Sequence, residues 1–156
     1  LKRNARQYWE IKNPTDYIVL GFTYDEEKRA ERFSQTNEQP LLTPLIDNKI
    51  TKQGCFDTLM FEGIKLPEIY SLGYPNANCI GCVKATSPTY WNLVRKTFPD
   101  IYEQRSKTSR DLGAKLVRHK GERIYLDELP VNAKGRDLKN YNFECGIFCF
   151  KEDDDN

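Results

Sequence analysis

Two cysteine pairs carry the chemistry most open to this sequence. Asn76-Ala-Asn-Cys-Ile-Gly-Cys-Val-Lys84 sets Cys79 and Cys82 two residues apart around Gly81, and Cys145-Gly-Ile-Phe-Cys149 sets the second pair three apart. Four thiolates can close a tetrahedral shell around zinc or hold the corners of a [4Fe-4S] cube. The short spacer of the first pair suits both, with Gly81 letting the backbone fold around a metal. A redox dithiol without metal is a further reading of the CxxC. Four ordinary buried cysteines are the plain alternative, because free cysteine is among the most buried residue types. Cys55, the fifth, sits beside Phe56 in a helical pattern and reads as core.

These pairs must be positioned by the rest of a 156-residue chain, which is enough for one domain with a real core. Net charge is only +1 although charged residues make up 30%, so no global polyelectrolyte role follows. No apolar run reaches the length of a bilayer and no secretory leader is visible, so no membrane partner is expected. Paired cysteines without secretory features point to a cytoplasmic metal or redox site rather than a disulfide framework. The chain opens at Leu1 on a basic segment (Lys2, Arg3, Arg6), which suggests part of something longer.

Tyr17-Ile-Val-Leu-Gly-Phe22 predicts a strand buried on both faces, as in a parallel sheet. A helix follows over 25–33, with Asp25 as its cap and Glu26 and Glu27 suited to its positive end. Strand, tight turn and helix in that order give an α/β fold class, in which ligands sit at the carboxyl ends of the strands. The turn from Gly21 to Glu26 is therefore a candidate ligand edge. Leu41 to Ile46 reads as extended. Thr51 to Glu62 predicts a helix with Phe56, Leu59 and Met60 on one face and Gly63 as its stop. Ser87-Pro88 starts another helix, with apolar positions Tyr90, Leu93, Val94 and Phe98. Pro99 ends it, and Asp100 to Leu112 predicts another, stopped by Gly113. Lys115 to His119 and Arg123 to Leu126 predict a hairpin through Lys120-Gly121. Val131 to Asn142 reads as loop, and Lys151 to Asn156 as a frayed acidic tail.

Lys and Arg are in excess from Lys84 to Arg123, interleaved with Tyr90, Trp91 and Tyr102, a pattern that suits phosphates of a nucleotide or of nucleic acid. Solvated helix faces explain most of the same side chains. His119 is the single histidine, which argues against a histidine-based triad. No GxxxxGK[ST] or GxGxxG motif occurs.

In order along the chain come Gly21-Phe-Thr-Tyr-Asp-Glu-Glu-Lys-Arg29, Pro44-Leu-Ile46 with Ile50-Thr-Lys52, and Gly63-Ile-Lys-Leu-Pro-Glu-Ile-Tyr-Ser-Leu-Gly-Tyr74. Asn78-Cys-Ile-Gly-Cys-Val-Lys84, Tyr90-Trp91, Arg95, Phe98-Pro99 and Glu144-Cys-Gly-Ile147 follow. Together these resemble the phosphoadenosine-phosphosulfate (PAPS) reductase family of the adenine nucleotide alpha-hydrolase superfamily, most of all its phage- and bacterium-borne members. The resemblance implies a partial Rossmann-like sheet over 1–75, a helical, basic, four-cysteine region over 76–150 and a tail over 151–156. It implies an oxidoreductase or sulfurtransferase acting on ATP or adenylyl sulfate. Asp25, Glu26 and Arg29 would line the nucleotide, and Lys84 and Arg95 would contact phosphate or sulfate.

Three departures qualify that picture. The family's Ser-Gly-Gly-x-Asp-Ser phosphate loop is absent, so an N-terminal half or a partner chain would have to carry it. Thr23 stands where the family has Arg. Glu144-Cys145-Gly146 looks like the motif holding the reductase's nucleophilic cysteine, but Phe148 and Cys149 replace the histidine that follows. Cys145 is thus expected as a ligand beside Cys79, Cys82 and Cys149, with a nucleophilic role as the alternative. A non-catalytic, metal-stapled module that binds a protein or nucleic acid is the rival reading.

Overall fold

A computed structural model of the chain describes residues 2–37 and 39–138, which fall into two compact units, 1–66 and from 67 onward. Among the described residues the fold mixes helix and strand, with two small two-stranded sheets.

In the first unit α1 (Lys2–Lys12) precedes β1 (Ile18–Val19), α2 (Glu27–Gln35), β2 (Leu41–Leu42), α3 (Pro44–Asp47) and α4 (Lys52–Phe61). Sequence patterning did not mark α1. An Arg6–Glu10 pair one turn apart at 3.2 Å supports it, and Arg6 also reaches Asn37 Oδ1 at 2.7 Å and lies over the Phe33 ring. β1 and β2 pair in parallel, Ile18 opposite Leu41 and Val19 opposite Leu42. The strand is therefore present but shorter than predicted. It is not buried on both faces, since Val19 is 61% exposed. The buried apolar residues of this unit are Phe22, Ala30 and Phe33, and a two-stranded ladder is too small to be buried on both faces.

The predicted cap is also corrected. A 3-10 turn over Tyr24–Glu26 precedes α2, and the Glu26 carboxylate closes it by accepting from the Thr23 N–H at 3.2 Å. Asp25 instead accepts from the backbone N–H of Lys52 at 3.1 Å, the first residue of α4. One residue along a tight turn changes which helix end a carboxylate meets. Leu41 to Ile46 is not extended throughout, because Pro44 takes the first position of α3, where its fixed φ suits a helix. Thr51 caps α4 as a helix-start residue should, accepting from Gly54 N–H at 3.1 Å. That helix buries no residue fully; Cys55 is half-buried and Met60 is 61% exposed, so its predicted apolar face is only partly covered.

The second unit is built on α5 (Pro88–Thr97) and α6 (Pro99–Asp111), followed by the hairpin β3 (Val117–His119) and β4 (Glu122–Ile124). Pro88 opens α5 as predicted, and Pro99, expected to end that helix, also takes the first position of α6. Trp91 is fully buried in a core it shares with Tyr74, Ala85, Tyr90, Val94, Tyr102, Val117, Leu126, Leu129 and Leu138. Its indole N–H donates to the Ala85 carbonyl at 2.7 Å. Tyr90 and Tyr102 meet it edge-on, at 5.4 and 6.4 Å between ring centres. These three aromatics are closed to base stacking in this conformation.

The hairpin turns through Lys120 (φ 50°) and Gly121 (φ 89°), the two positive dihedrals of a type I′ turn. Its register places Arg118 directly opposite Arg123, both exposed. Like charges across a ladder repel. Arg118→Glu is expected to stabilise the unit by about 0.5 kcal/mol, a gain that shrinks in high salt. Urea unfolding at two salt concentrations reads it, and a loss of stability at low salt would refute it.

Candidate metal centre

The Cys79–Cys82 turn is held from both sides of its glycine. Gly81 has φ 69°, a left-handed conformation open to glycine, and is buried. A Cβ there would stand 2.8 Å from Ile101 Cγ2 and 3.2 Å from Arg105 Cγ, so the backbone lies tight against α6. The Tyr90 hydroxyl accepts from the Gly81 N–H at 2.9 Å and the Cys82 N–H at 3.3 Å, and donates to the Cys79 carbonyl at 3.5 Å. Arg105 Nε donates to the Gly81 carbonyl at 3.2 Å. One peptide group is thus pinned by α5 through its N–H side and by α6 through its carbonyl.

Burial pushes the Tyr90 hydroxyl up to about 12, against the opposing pull of the Cys82 and Gly81 N–H groups. It stays protonated through the physiological range and can donate and accept at once. Tyr74 is likewise pushed up by burial, with its hydrogen bond to Thr97 acting the other way.

The turn presents its thiols unequally: Cys79 is exposed and Cys82 half-buried, and both are free thiols. They border a cavity that also touches Tyr74, Asn76, Asn78 and Tyr90. About 10 Å³ of it is open to the centre of a water-sized guest. That is room for one water.

The other expected site residues sit as follows. Cys145 and Cys149 lie outside the described residues, and no group of three or more metal-ligating side chains occurs among those described. Cys79 and Cys82, two of the four expected ligands, lie on one turn whose backbone is hydrogen-bonded from both sides. Lys84 is exposed just beyond the turn. Arg95 is committed to the fold: it donates to Asn92 Oδ1 at 3.0 Å, to the Leu126 and Leu129 carbonyls at 3.3 and 2.8 Å, and to the Tyr102 hydroxyl. In the first unit Glu26 and Arg29 pair at 2.5 Å, and Arg29 lies over the Phe22 ring. Asp25 and Glu26 are spent on backbone amides as described.

Sequence reasoning missed the supports, Tyr90 and Arg105. Tyr90 was visible as an apolar helix position eight residues after Cys82, but nothing in the sequence gave its hydroxyl two amides to hold. Arg105 lies in a solvated helical pattern with no local signal at all.

In comparison with known proteins, no family model, curated protein or solved structure matches this chain. No helix among the described residues is long and apolar enough to cross a membrane.

Proposed function

We propose that this chain is a PAPS-reductase-like protein in which Cys79, Cys82, Cys145 and Cys149 hold a [4Fe-4S] cluster or a zinc ion, serving nucleotide-dependent sulfur transfer or reduction. The observation that supports the metal part is the Cys79–Cys82 turn, hydrogen-bonded from both sides and bordered by a small cavity. Such a turn suits a ligand pair, because thiols held before binding lose little freedom when a metal arrives. A cluster would supply electrons to a sulfur substrate; zinc would brace the fold or act as a Lewis acid. The nucleotide part rests on the ordered motifs and on Lys84, with Asp25, Glu26 and Arg29 following the carboxyl end of β1. Its phosphate loop would come from an N-terminal half or a partner chain.

The metal-stapled binding module is kept as a second reading because of one observation. Arg95, Glu26 and Arg29 are already engaged in contacts within their own units.

Anaerobic purification of the chain with all four cysteines, followed by metal analysis and absorption spectroscopy, tests the centre. A brown protein with four irons per chain supports the cluster, and a colourless one with one zinc supports the staple. Cys79→Ser is expected to lose the bound metal in either case. Metal-free protein, with Cys79→Ser as stable as the parent, would sink the centre. Titration calorimetry with ATP and adenylyl sulfate tests the nucleotide part, and no heat from a chain joined to its phosphate loop would end it.

A further inference from the structure

We infer that Tyr90 and Arg105 are positioning residues for the thiol pair, which set its geometry before any metal arrives. This rests on the metal reading above and goes one step deeper: the protein, not the ion, shapes the turn.

A free CxxC segment is flexible, and a metal that binds it must order it at a cost in affinity. Here the ordering is already done by groups outside the turn. The Gly81 N–H and carbonyl are both taken, by the Tyr90 hydroxyl at 2.9 Å and Arg105 Nε at 3.2 Å. The Cys82 N–H is taken as well, at 3.3 Å from the same hydroxyl.

Tyr90 is 4% exposed, and a phenylalanine ring would fill the same core position against Tyr74 and Trp91. Its hydroxyl is the part that reaches the turn. Arg105 Nε, likewise, is spent on a single carbonyl of the CxxC segment rather than on a carboxylate. Supports of this kind behind metal ligands are worth about 10-fold to 100-fold in metal affinity.

The test uses the full chain with Tyr90→Phe and, separately, Arg105→Met, which keeps the apolar stem. Two quantities are read. The first is cobalt(II) affinity from its thiolate-to-metal absorption. The second is the ratio of iodoacetamide alkylation rates at Cys79 and Cys82 in the metal-free chain, resolved by mass spectrometry. The parent is expected to alkylate faster at exposed Cys79 than at half-buried Cys82. Each variant is expected to bind cobalt about 10-fold more weakly, with the alkylation ratio falling toward one. Circular dichroism checks that the helices remain.

The outcomes separate the two claims. If the parent binds no cobalt, the metal reading fails, and the alkylation ratio still decides whether the turn is held. If either folded variant keeps both the parent's affinity and its ratio, the positioning role is overturned for that residue. Should Tyr90→Phe fail to fold, Arg105→Met carries the same pair of readouts.

Discussion

Trp91→Ala is expected to destabilise the second unit by about 4 kcal/mol. The side chain is fully buried in that core, so its loss leaves a void that surrounding rings cannot easily fill. The indole's hydrogen bond at 2.7 Å disappears as well, stranding the Ala85 carbonyl. Set against a domain stability of roughly 5–15 kcal/mol, this single change takes a large share. Urea unfolding followed by far-ultraviolet circular dichroism reads it. Trp91→Phe separates the two causes, because it restores most of the volume but not the donor, and about half the loss should return. A shift of less than about 1 kcal/mol for Trp91→Ala would show that this core is not organised around the indole.

Arg95→Met is expected to cost about 3 kcal/mol. Methionine keeps the stem and removes a guanidinium that serves the Leu126 and Leu129 carbonyls, Asn92 and the Tyr102 hydroxyl. Leu129 is 3% exposed, so its carbonyl is left with little access to water. The Tyr102 hydroxyl, pushed up in pKa by burial and held back by the neighbouring Arg95 charge, should become harder still to ionise. The variant therefore decides between two roles for one residue. A loss of stability without any change in nucleotide or sulfate binding fixes Arg95 as a brace. Unchanged stability with weaker anion binding would return it to the phosphate role.

Much of the second unit was legible because its punctuation is local. Ser87-Pro88, Pro99, Gly113 and Lys120-Gly121 each act through their own backbone, and the helices and hairpin fall where they point. Ser87 shows the limit of that logic. It stands at the helix cap, but its hydroxyl donates to the Arg136 carbonyl at 3.0 Å instead of serving the helix end. Partners distant in sequence were not legible. Trp91 and Tyr102 read as aromatics among phosphate-binding cations, yet both are core. Arg95 read as an anion contact, yet it is taken up by carbonyls 31 and 34 residues away. In the first unit α1 was missed although its Arg6–Glu10 pair is a local signal; only the second partner of Arg6, Asn37, lies 31 residues away where no helix pattern shows it. The CxxC itself stood out from residue types alone. What holds it did not, since its two supports come from other helices.

The clamp around Gly81 also bears on the order in which the chain assembles. Gly81 and Tyr90 are nine residues apart, whereas the comparable bond from the Gly135 N–H to Thr89 spans 46. Closing the shorter loop costs about 1.4 kcal/mol less in chain entropy. The thiol turn should therefore form with the nucleus of α5 and α6, ahead of the segment that stitches Gly135 to the start of α5. Native-state hydrogen exchange reads the same ranking in reverse, with the Gly135 amide opening before those of Gly81 and Cys82. Earlier exchange at Gly81 would contradict it. A nascent chain would then display its first thiol pair, already shaped, before the segment around Gly135 had docked.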